Sequence, residues 1–282
     1  MELQAREGRL ITAAGLGRVL VATAVPVERD AVAEAFAALP LGSDTSVLGT
    51  VGRADPPSSS RLRSSRGDPH RSSGTTAHGD GGAAGVVVDV IDAGVGPALA
   101  AVSTASALTA AALRGSPYDI VVSAGIGGGF QPDAPVGSLV VADEIVAADL
   151  GAETPDGFLP VTDLGFGTVR HRPPEELVRL VAGAVGARTG AVLTVSTVTG
   201  TAERAAVLRE RHPTALAEAM EGFGVAEAAA AHGVPVLEVR AVSNPVGPRD
   251  RAAWRIPEAL AALSEGFGKL LPVLDGWNRH DR

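Results

Sequence analysis

The sequence predicts an α/β fold: a single domain of three layers, in which helices cover both faces of a central, mostly parallel or mixed twisted sheet. Short apolar segments rich in β-branched residues alternate with helical segments, as expected of strands buried on both faces. The chain has 282 residues, 45% of them hydrophobic, so it can bury a sizeable core. Outside residues 43–85, no linker separates two such cores.

The first half of the chain contains three predicted strands, each a short β-branched run. The helix after the second strand is rich in alanine and begins at Pro97, a residue suited to the first turn of a helix. The third strand is followed by a glycine run, which is compatible with a tight strand-to-loop turn. The predictions are the strand Val19–Val25, the helix Val27–Leu39, the strand Val86–Ile91, the helix Pro97–Leu113, the strand Tyr118–Ser123 and the glycine run Gly125–Gly129.

The second half continues the alternation of strands and helices. The predictions are one or two strands in Gly137–Ala148, the helix Pro174–Ala187, the strand Ala191–Thr197, the helices Ala202–Arg211 and Glu221–His232, the strand Val234–Val242 and the helix Ala252–Leu271. The domain is therefore expected over residues 18–274, with residues 1–17 as a loose extension and 275–282 as a tail.

Residues 43–85 differ from the rest of the chain. Large apolar residues are nearly absent there, and Ser, Gly, Arg and Asp dominate. Such a segment cannot bury enough surface to offset its ordering entropy, so it is predicted to be a disordered insertion. Its Arg-Ser content is compatible with RNA contact, and His70 and His78 with a metal, but a solvated loop explains these residues better.

The composition excludes several classes of function. With 24 Lys+Arg against 32 Asp+Glu the formal charge is −8, and no basic cluster lies on a regular element, which argues against nucleic-acid binding. The absence of cysteine removes disulfides, thiolate metal sites and cysteine nucleophiles. The histidines show no metal-ligand spacing, so no metal is expected. No signal peptide or membrane span is visible, so a soluble cytoplasmic protein without a membrane partner is expected.

Four places lie at the end of a predicted strand or the start of a helix, where such sheets bind ligands. Glu28 follows the first strand, although it could also complement the dipole of its own helix. Ser123–Gly125 ends the third strand, where glycine lets backbone amides approach a ligand. Met220–Glu221 opens a helix, where a carboxylate is ordinary. Ser243–Asn244 follows the last strand and, standing before Pro245, is also compatible with a turn.

The joint arrangement of these motifs resembles the nucleoside phosphorylase/nucleosidase superfamily, in particular its methylthioadenosine/S-adenosylhomocysteine nucleosidase branch. The resemblance covers Gly17 to about Val273, apart from the insertion. It implies that Glu28 activates water, that Glu221 and Met220 contact the ribose, and that Asn244 stabilises the leaving group. It also implies contacts to the base, which come from Ser123, Ala124, Gly125 and Ser243 and, more weakly, from Val198, Thr199 and Phe223.

Two departures from the superfamily pattern narrow the predicted reaction. Phosphorylases place a glycine and an arginine after the first strand to bind phosphate, whereas Ala24–Glu28 contains neither, so water is favoured over phosphate. Partial burial beside Val25 and Val27 is expected to raise the pKa of Glu28. Asn244 stands where adenine-specific nucleosidases have Asp. An amide can donate to O6 of a 6-oxopurine and accept from N7–H, so this residue favours hypoxanthine or guanine over adenine.

Four strings of the chain resemble the futalosine hydrolase family: Val121–Phe130, Ala142–Glu153, Ser196–Gly200 and Ala241–Gly247. The resemblance implies hydrolysis of futalosine to hypoxanthine and dehypoxanthine futalosine, in the alternative pathway of menaquinone biosynthesis. It implies a small nucleoside as the partner, no cofactor, and a homodimer or higher homo-oligomer. The substrate also carries a benzoate arm, and the sequence does not identify the arginine that would meet it.

Three other functions stay open: a nucleoside phosphorylase, an adenine-type nucleosidase acting on aminodeoxyfutalosine or methylthioadenosine, and a non-catalytic nucleoside-binding module. The presence of both Glu28 and Glu221 argues against the binding module, because a pure binder needs no water-activating carboxylate. Arg249–Arg251 follows Asn244 closely enough to cover the site. A mobile lid and a salt-bridged helix start are equally compatible with that segment.

Overall fold

The computed structural model describes residues 17–37, 45–47 and 86–280. Predictions for residues 1–16, for most of 43–85 with His70 and His78, and for 281–282 lie outside the described residues. The strands are β1 (Arg18–Thr23), β2 (Thr45–Val47), β3 (Val87–Asp92), β4 (Ile120–Gly129), β5 (Leu139–Ala147), β6 (Gly151–Thr154), β7 (Gly157–Pro160), β8 (Arg170–His171), β9 (Arg188–Thr194), β10 (Ala215–Ala219) and β11 (Val236–Pro245). The helices are α1 (Pro26–Ala37), α2 (Pro97–Leu113), α3 (Glu175–Val185), α4 (Ala202–Arg211), α5 (Gly222–Ala231) and α6 (Ile256–His280).

Nine of the described strands form one mixed sheet, in the order β10-β9-β5-β11-β4-β1-β3-β2, with β8 paired to β5. Pairing is antiparallel between β5 and β11, between β5 and β8 and between β10 and β4, and parallel elsewhere in this sheet. Because β10 also pairs with β4, the strands β4, β11, β5, β9 and β10 form a closed ring. β6 and β7 form a separate hairpin.

Helices cover both faces of this sheet, which confirms the predicted three layers. Val19 and Val21 of β1 pack in a core beneath α1, α3 and α6, whereas Leu20 and Ala22 pack in a second core beneath α2 and α5. The alternation follows from the strand geometry, in which successive side chains point to opposite faces.

Two strands extend further than the sequence predicts. β4 continues through Gly125–Gly129 instead of ending before a turn, and β11 continues through Ser243–Pro245. Glycine is needed here for space: a Cβ at Gly127 would lie 2.8 Å from the carbonyl oxygen of Glu218 on the adjacent β10. The glycine run therefore marks a close approach between strands.

Several elements were not predicted. β10 and the β6–β7 hairpin have no counterpart in the prediction, and β2 lies inside the segment predicted as an insertion. The predicted last helix ends at Leu271, before a proline, yet α6 continues to His280 with Pro272 inside it. Residues 275–280, expected to be a tail, are therefore helical.

Candidate active site

A buried arginine, Arg240, stands at the centre of the candidate site. It lies on β11, and only 1% of its surface is exposed. Its Nε donates to Glu238 Oε1 at 2.8 Å, its Nη1 to Glu221 Oε2 at 3.3 Å and its Nη2 to Ser123 Oγ at 3.0 Å. These partners belong to β11, to the start of α5 and to β4, so the guanidinium joins three elements.

Glu28, the predicted water-activating residue, lies in the first turn of α1 and is 3% exposed. Its Oε2 accepts the backbone N–H groups of Ala24 at 2.9 Å and Val25 at 3.3 Å, and its Oε1 accepts that of Ile126 at 2.9 Å. Burial raises the pKa of Glu28, against the opposing effects of Arg240 and of the N–H groups of Ile126 and Ala24. The direction of this shift suits a group that must accept a proton.

The two residues expected to bury Glu28 differ in their own exposure. Val25 is half-buried, as the expectation requires, whereas Val27 is 57% exposed. The covering atoms come from β4 and β11: a Cβ at Gly125 would lie 2.7 Å from both Glu28 Oε1 and Arg240 Nη1. Glycine leaves the space that the carboxylate and the guanidinium fill.

Glu221, predicted to hold a ribose, stands immediately before α5 and is 6% exposed. Its Oε1 accepts the N–H of Gly96 at 3.2 Å, and its Oε2 accepts that of Met220 at 3.3 Å in addition to Arg240. Met220, the second predicted ribose contact, is half-buried. The structure thus brings the predicted pair into the same cluster as Glu28.

Three carboxyl groups, from Glu28, Glu221 and Glu238, surround the one guanidinium of Arg240. Glu238 is completely buried, and its Oε2 has no hydrogen-bond partner among the described residues. Burial raises the pKa of Glu238, and Arg240 opposes that effect. Burial also acts to lower the pKa of Arg240, but the nearby carboxylates outweigh it and raise the pKa. The guanidinium therefore stays charged within the cluster.

The sequence prediction missed Glu238 and Arg240, which it treated as ordinary members of the strand Val234–Val242. A signal was present, because two residues of opposite charge stand two positions apart in an otherwise apolar run. That spacing puts both side chains on one face of a strand. Charged residues on a strand buried on both faces need partners, so the pair indicates a buried polar site.

Ser243 and Asn244 lie at the end of β11, beside the glycines of β4. Ser243 is buried, and its Oγ lies 2.8 Å from Asn244 Oδ1 and 3.2 Å from the carbonyl oxygen of Gly127. Asn244 is half-buried, and its Nδ2 donates to the carbonyl oxygen of Pro245 at 3.0 Å. Since an amide has two N–H bonds and two lone pairs, these contacts leave one of each for a ligand.

The weaker predicted base contacts lie at the ends of β9 and α5. Thr199 is buried; its backbone N–H donates to Glu218 Oε1 at 2.8 Å, and its hydroxyl donates to the other carboxyl oxygen of Glu218. Phe223 is buried, and its N–H donates to Thr194 Oγ1 at 2.9 Å. Val198 is 42% exposed. Glu218, which the sequence did not single out, therefore fixes the segment that carries Val198 and Thr199.

The remaining predicted base contacts are packed inside β4. Ser123, Ala124 and Gly125 are all buried, whereas Ile126–Gly128 is half-buried. The accessible part of β4 thus begins at Ile126, directly after the predicted motif Ser123–Gly125. The hydroxyl of Ser123 accepts a hydrogen bond from Arg240 and helps to hold its guanidinium in position.

The described residues contain no cluster of three or more His, Cys, Asp and Glu side chains that could hold a metal ion. Within the same ranges, no helix is long and apolar enough to cross a membrane.

The start of α1 determines which nucleophile this arrangement can use. Free backbone N–H groups at a helix N-terminus form a binding site for an anion such as phosphate. Here the carboxylate of Glu28 already occupies the N–H groups of Ala24 and Val25. A buried carboxylate with a raised pKa can instead take a proton from water. The geometry therefore supports hydrolysis, with a neutral amide at Asn244 for the leaving group.

Comparisons with known proteins agree with this chemistry. The family model described as the phosphorylase superfamily matches residues 46–270. A futalosine hydrolase from Streptomyces coelicolor is 66% identical over 264 residues, which cover 94% of this chain and 99% of that protein. A futalosine hydrolase from Thermus thermophilus is 37% identical over 183 residues, which cover 63% of this chain and 80% of that protein.

Two solved structures share the fold. A 5′-methylthioadenosine/S-adenosylhomocysteine nucleosidase from Colwellia psychrerythraea, in complex with adenine, superposes with a TM-score of 0.65 at 20% identity, covering 93% of this chain and 97% of that one. A futalosine hydrolase mutant from Helicobacter pylori has a TM-score of 0.62 at 18% identity, covering 92% of this chain and 98% of that one. The chain belongs to the phosphorylase superfamily and, within it, to the futalosine hydrolases.

Proposed function

We propose that this enzyme hydrolyses the N-glycosidic bond of futalosine, releasing hypoxanthine and dehypoxanthine futalosine within the futalosine route to menaquinone. The single observation that carries the hydrolytic assignment is the carboxylate of Glu28 on the N–H groups of Ala24 and Val25, which takes up backbone donors of the kind that bind an anion such as phosphate. The substrate assignment is supported by the relative from Streptomyces coelicolor, which the chain matches over nearly its whole length.

The reaction begins with a water molecule held beside Glu28. The bond between C1′ and N9 breaks, its electron pair leaves with the purine, and C1′ develops positive charge. The water oxygen bonds to C1′ while Glu28 takes a water proton, for which its raised pKa is suited. Glu221 accepts hydrogen bonds from the ribose hydroxyls, and Met220 packs against the sugar. Arg240 keeps the two glutamates in place through its bond to Glu221 and its proximity to Glu28.

Asn244 stabilises the departing base. Its remaining N–H donates to O6 of hypoxanthine. N7 takes a proton from solvent water as the base leaves, the carbonyl of Asn244 accepts from this N7–H, and Glu28 afterwards returns the proton it took to solvent. Ser243 orients the amide through Oδ1. We assign the other base contacts to Val198, Thr199 and Phe223, whereas Ser123, Ala124 and Gly125 are buried within β4 and line the site from behind its surface. No cofactor or metal has a role in these steps.

The direct test is incubation with futalosine in phosphate-free buffer, followed by chromatography for free hypoxanthine. Release without phosphate is expected, and release that requires phosphate would identify a phosphorylase. Parallel reactions with aminodeoxyfutalosine and methylthioadenosine measure adenine release. An enzyme faster on these 6-aminopurine substrates would overturn the assignment.

We further propose that the chain forms a homodimer or a higher homo-oligomer. Four large apolar side chains around the β6–β7 hairpin are at least 39% exposed, which favours an interface. They are Leu150, Leu159, Leu164 and Phe166. Phe166→Asp should lower the mass measured by light scattering to that of one chain, and an unchanged oligomer would exclude this surface. The cytoplasmic location remains a prediction from the sequence.

A further inference from the structure

The loop between β11 and α6 begins and ends at the predicted base-binding pair. It leaves the sheet after Pro245, next to Asn244. It returns at Arg255, whose N–H donates to the carbonyl oxygen of Ser243 at 2.8 Å. Because Ser243 also contacts Gly127 of β4, both ends of the loop are fastened at the same edge of the site.

Internal contacts give this loop a defined shape. Asp250 accepts the N–H of Ala252 at 3.0 Å through Oδ1, which starts a short 3-10 helix over Arg251–Ala253. Arg255 donates to the carbonyl oxygens of Ala252 at 3.1 Å and Trp254 at 3.2 Å. Asp250 therefore caps the helix rather than pairing with an arginine, so a salt-bridged helix start is not what the structure shows.

Two arginines of the loop lie over the ring of one tryptophan. The guanidinium carbons of Arg249 and Arg251 lie 5.1 Å and 5.7 Å from the ring centroid of Trp254. Neither guanidinium is paired with a carboxylate among the described residues. Three arginines against one aspartate give residues 249–255 a charge of 3 − 1 = +2, in a chain whose net charge is −8. The unpaired positive charges of Arg249 and Arg251 therefore lie beside the active site of a protein that is acidic overall.

We propose that Arg249 and Arg251, held on Trp254, bind the benzoate arm of the substrate; this inference rests on the proposed function. The arm ends in a carboxylate on an aromatic ring. A guanidinium binds a carboxylate through paired, charge-assisted hydrogen bonds, and the tryptophan offers an aromatic surface beside it. Together the loop residues supply both contacts that a benzoate needs, immediately after the residues that hold the base.

The test removes the charge from the protein and from the substrate in turn. In the double variant Arg249→Ala/Arg251→Ala, KM for futalosine should rise roughly tenfold to a hundredfold, since hydrogen bonds between charged groups carry that much binding energy. The kcat should change less than about threefold, because the contact to the arm is the same in the bound substrate and in the transition state. The methyl ester of futalosine should bind the unaltered enzyme worse by a similar factor. It should bind the variant no worse than futalosine does, because the partner charge is already gone.

Controls separate this inference from the proposed function. Arg179→Ala removes an exposed arginine of α3, paired with Glu176 at 3.2 Å, and should leave KM unchanged. If the unaltered enzyme releases no hypoxanthine from futalosine, the proposed function fails. If it does, but the double variant and the ester keep the original KM, the arginine assignment alone is wrong. The ester comparison needs no variant, so misfolding of the double variant leaves the inference testable.

Discussion

The two halves of the candidate site are built in opposite ways. Around Glu28 the groups are charged and buried, and each carboxyl oxygen of Glu28 and Glu221 has a protein partner. Around Asn244 the group that meets the base is neutral and half-buried, and the adjacent loop carries unpaired positive charge. The buried hydrogen bonds around Glu28 hold its carboxylate in place for one proton transfer. Asn244 and the adjacent loop are more exposed, so they can be substituted with little disturbance of the fold. Changes in the first half should therefore alter the rate, and changes in the second should alter substrate preference.

The largest effect is expected from Glu28→Gln, which removes the proton acceptor while keeping its shape. Turnover should fall roughly 10²–10⁴-fold, the usual contribution of a general base. Steady-state release of hypoxanthine measures the loss, and a thermal unfolding curve with and without hypoxanthine checks that the variant is folded and binds the base. A variant with full turnover would show that the water is activated elsewhere.

Asn244→Asp should have the next largest effect, and it should act on preference. A carboxylate at this position would face O6 of hypoxanthine repulsively but could accept from N6 of adenine. The kcat/KM for futalosine should fall roughly tenfold to a hundredfold relative to that for aminodeoxyfutalosine, because the unpaired polar groups cost that much discrimination. Competition between the two substrates in one reaction gives the ratio directly. A ratio that moves the other way would remove the specificity argument.

The smallest effect is expected from Glu238→Gln, and it should be a change in pH dependence. Arg240 lowers the pKa of Glu28, and Glu238, when it is ionised, offsets part of the charge of Arg240. In Glu238→Gln the negative charge of Glu238 is gone, so Arg240 should lower the pKa of Glu28 further. Glu221 continues to raise that pKa and limits the change. Because Glu28 must be ionised to accept a proton, the acid limb of the kcat/KM profile should move to lower pH.

A matched control distinguishes this effect from general disruption. Glu258→Gln changes an exposed glutamate in the first turn of α6 and should leave the profile in place. A uniform loss of activity at all pH values in Glu238→Gln would mean that Glu238 only supports the structure.

The residues predicted from the sequence are those that stand at the ends of predicted strands or at the start of a predicted helix. Glu28 and Asn244 could be singled out because they follow predicted strands, whose carboxyl ends meet at one edge of a sheet, and Glu221 because it opens a predicted helix. Their contacts could not be predicted in the same way. Arg240 meets Glu221 only because β11 pairs with β4 and α5 follows β10, and this pairing is set by the whole sheet.

The wrong predictions have a common physical cause. A turn was one interpretation of the glycines in β4, and Val25 and Val27 were expected to bury Glu28, because both inferences used neighbours in sequence. In the structure the covering atoms come from strands distant in sequence, such as β10 against Gly127 and β11 against Gly125. Local patterns predicted most of the described helices and the central strands, but they do not reveal which backbone another strand approaches.

The hydrogen bonds of the Glu28 carboxylate also indicate what would replace it if the side chain were removed. Three backbone donors, from Ala24, Val25 and Ile126, converge on its two oxygens. In Glu28→Gly the backbone N–H groups of Ala24, Val25 and Ile126 would lose their acceptor and could bind a small anion in its place. Formate added to such a variant should restore part of the lost activity by supplying the missing base. In this enzyme, one side chain therefore decides whether these three backbone donors face a proton acceptor or an added anion.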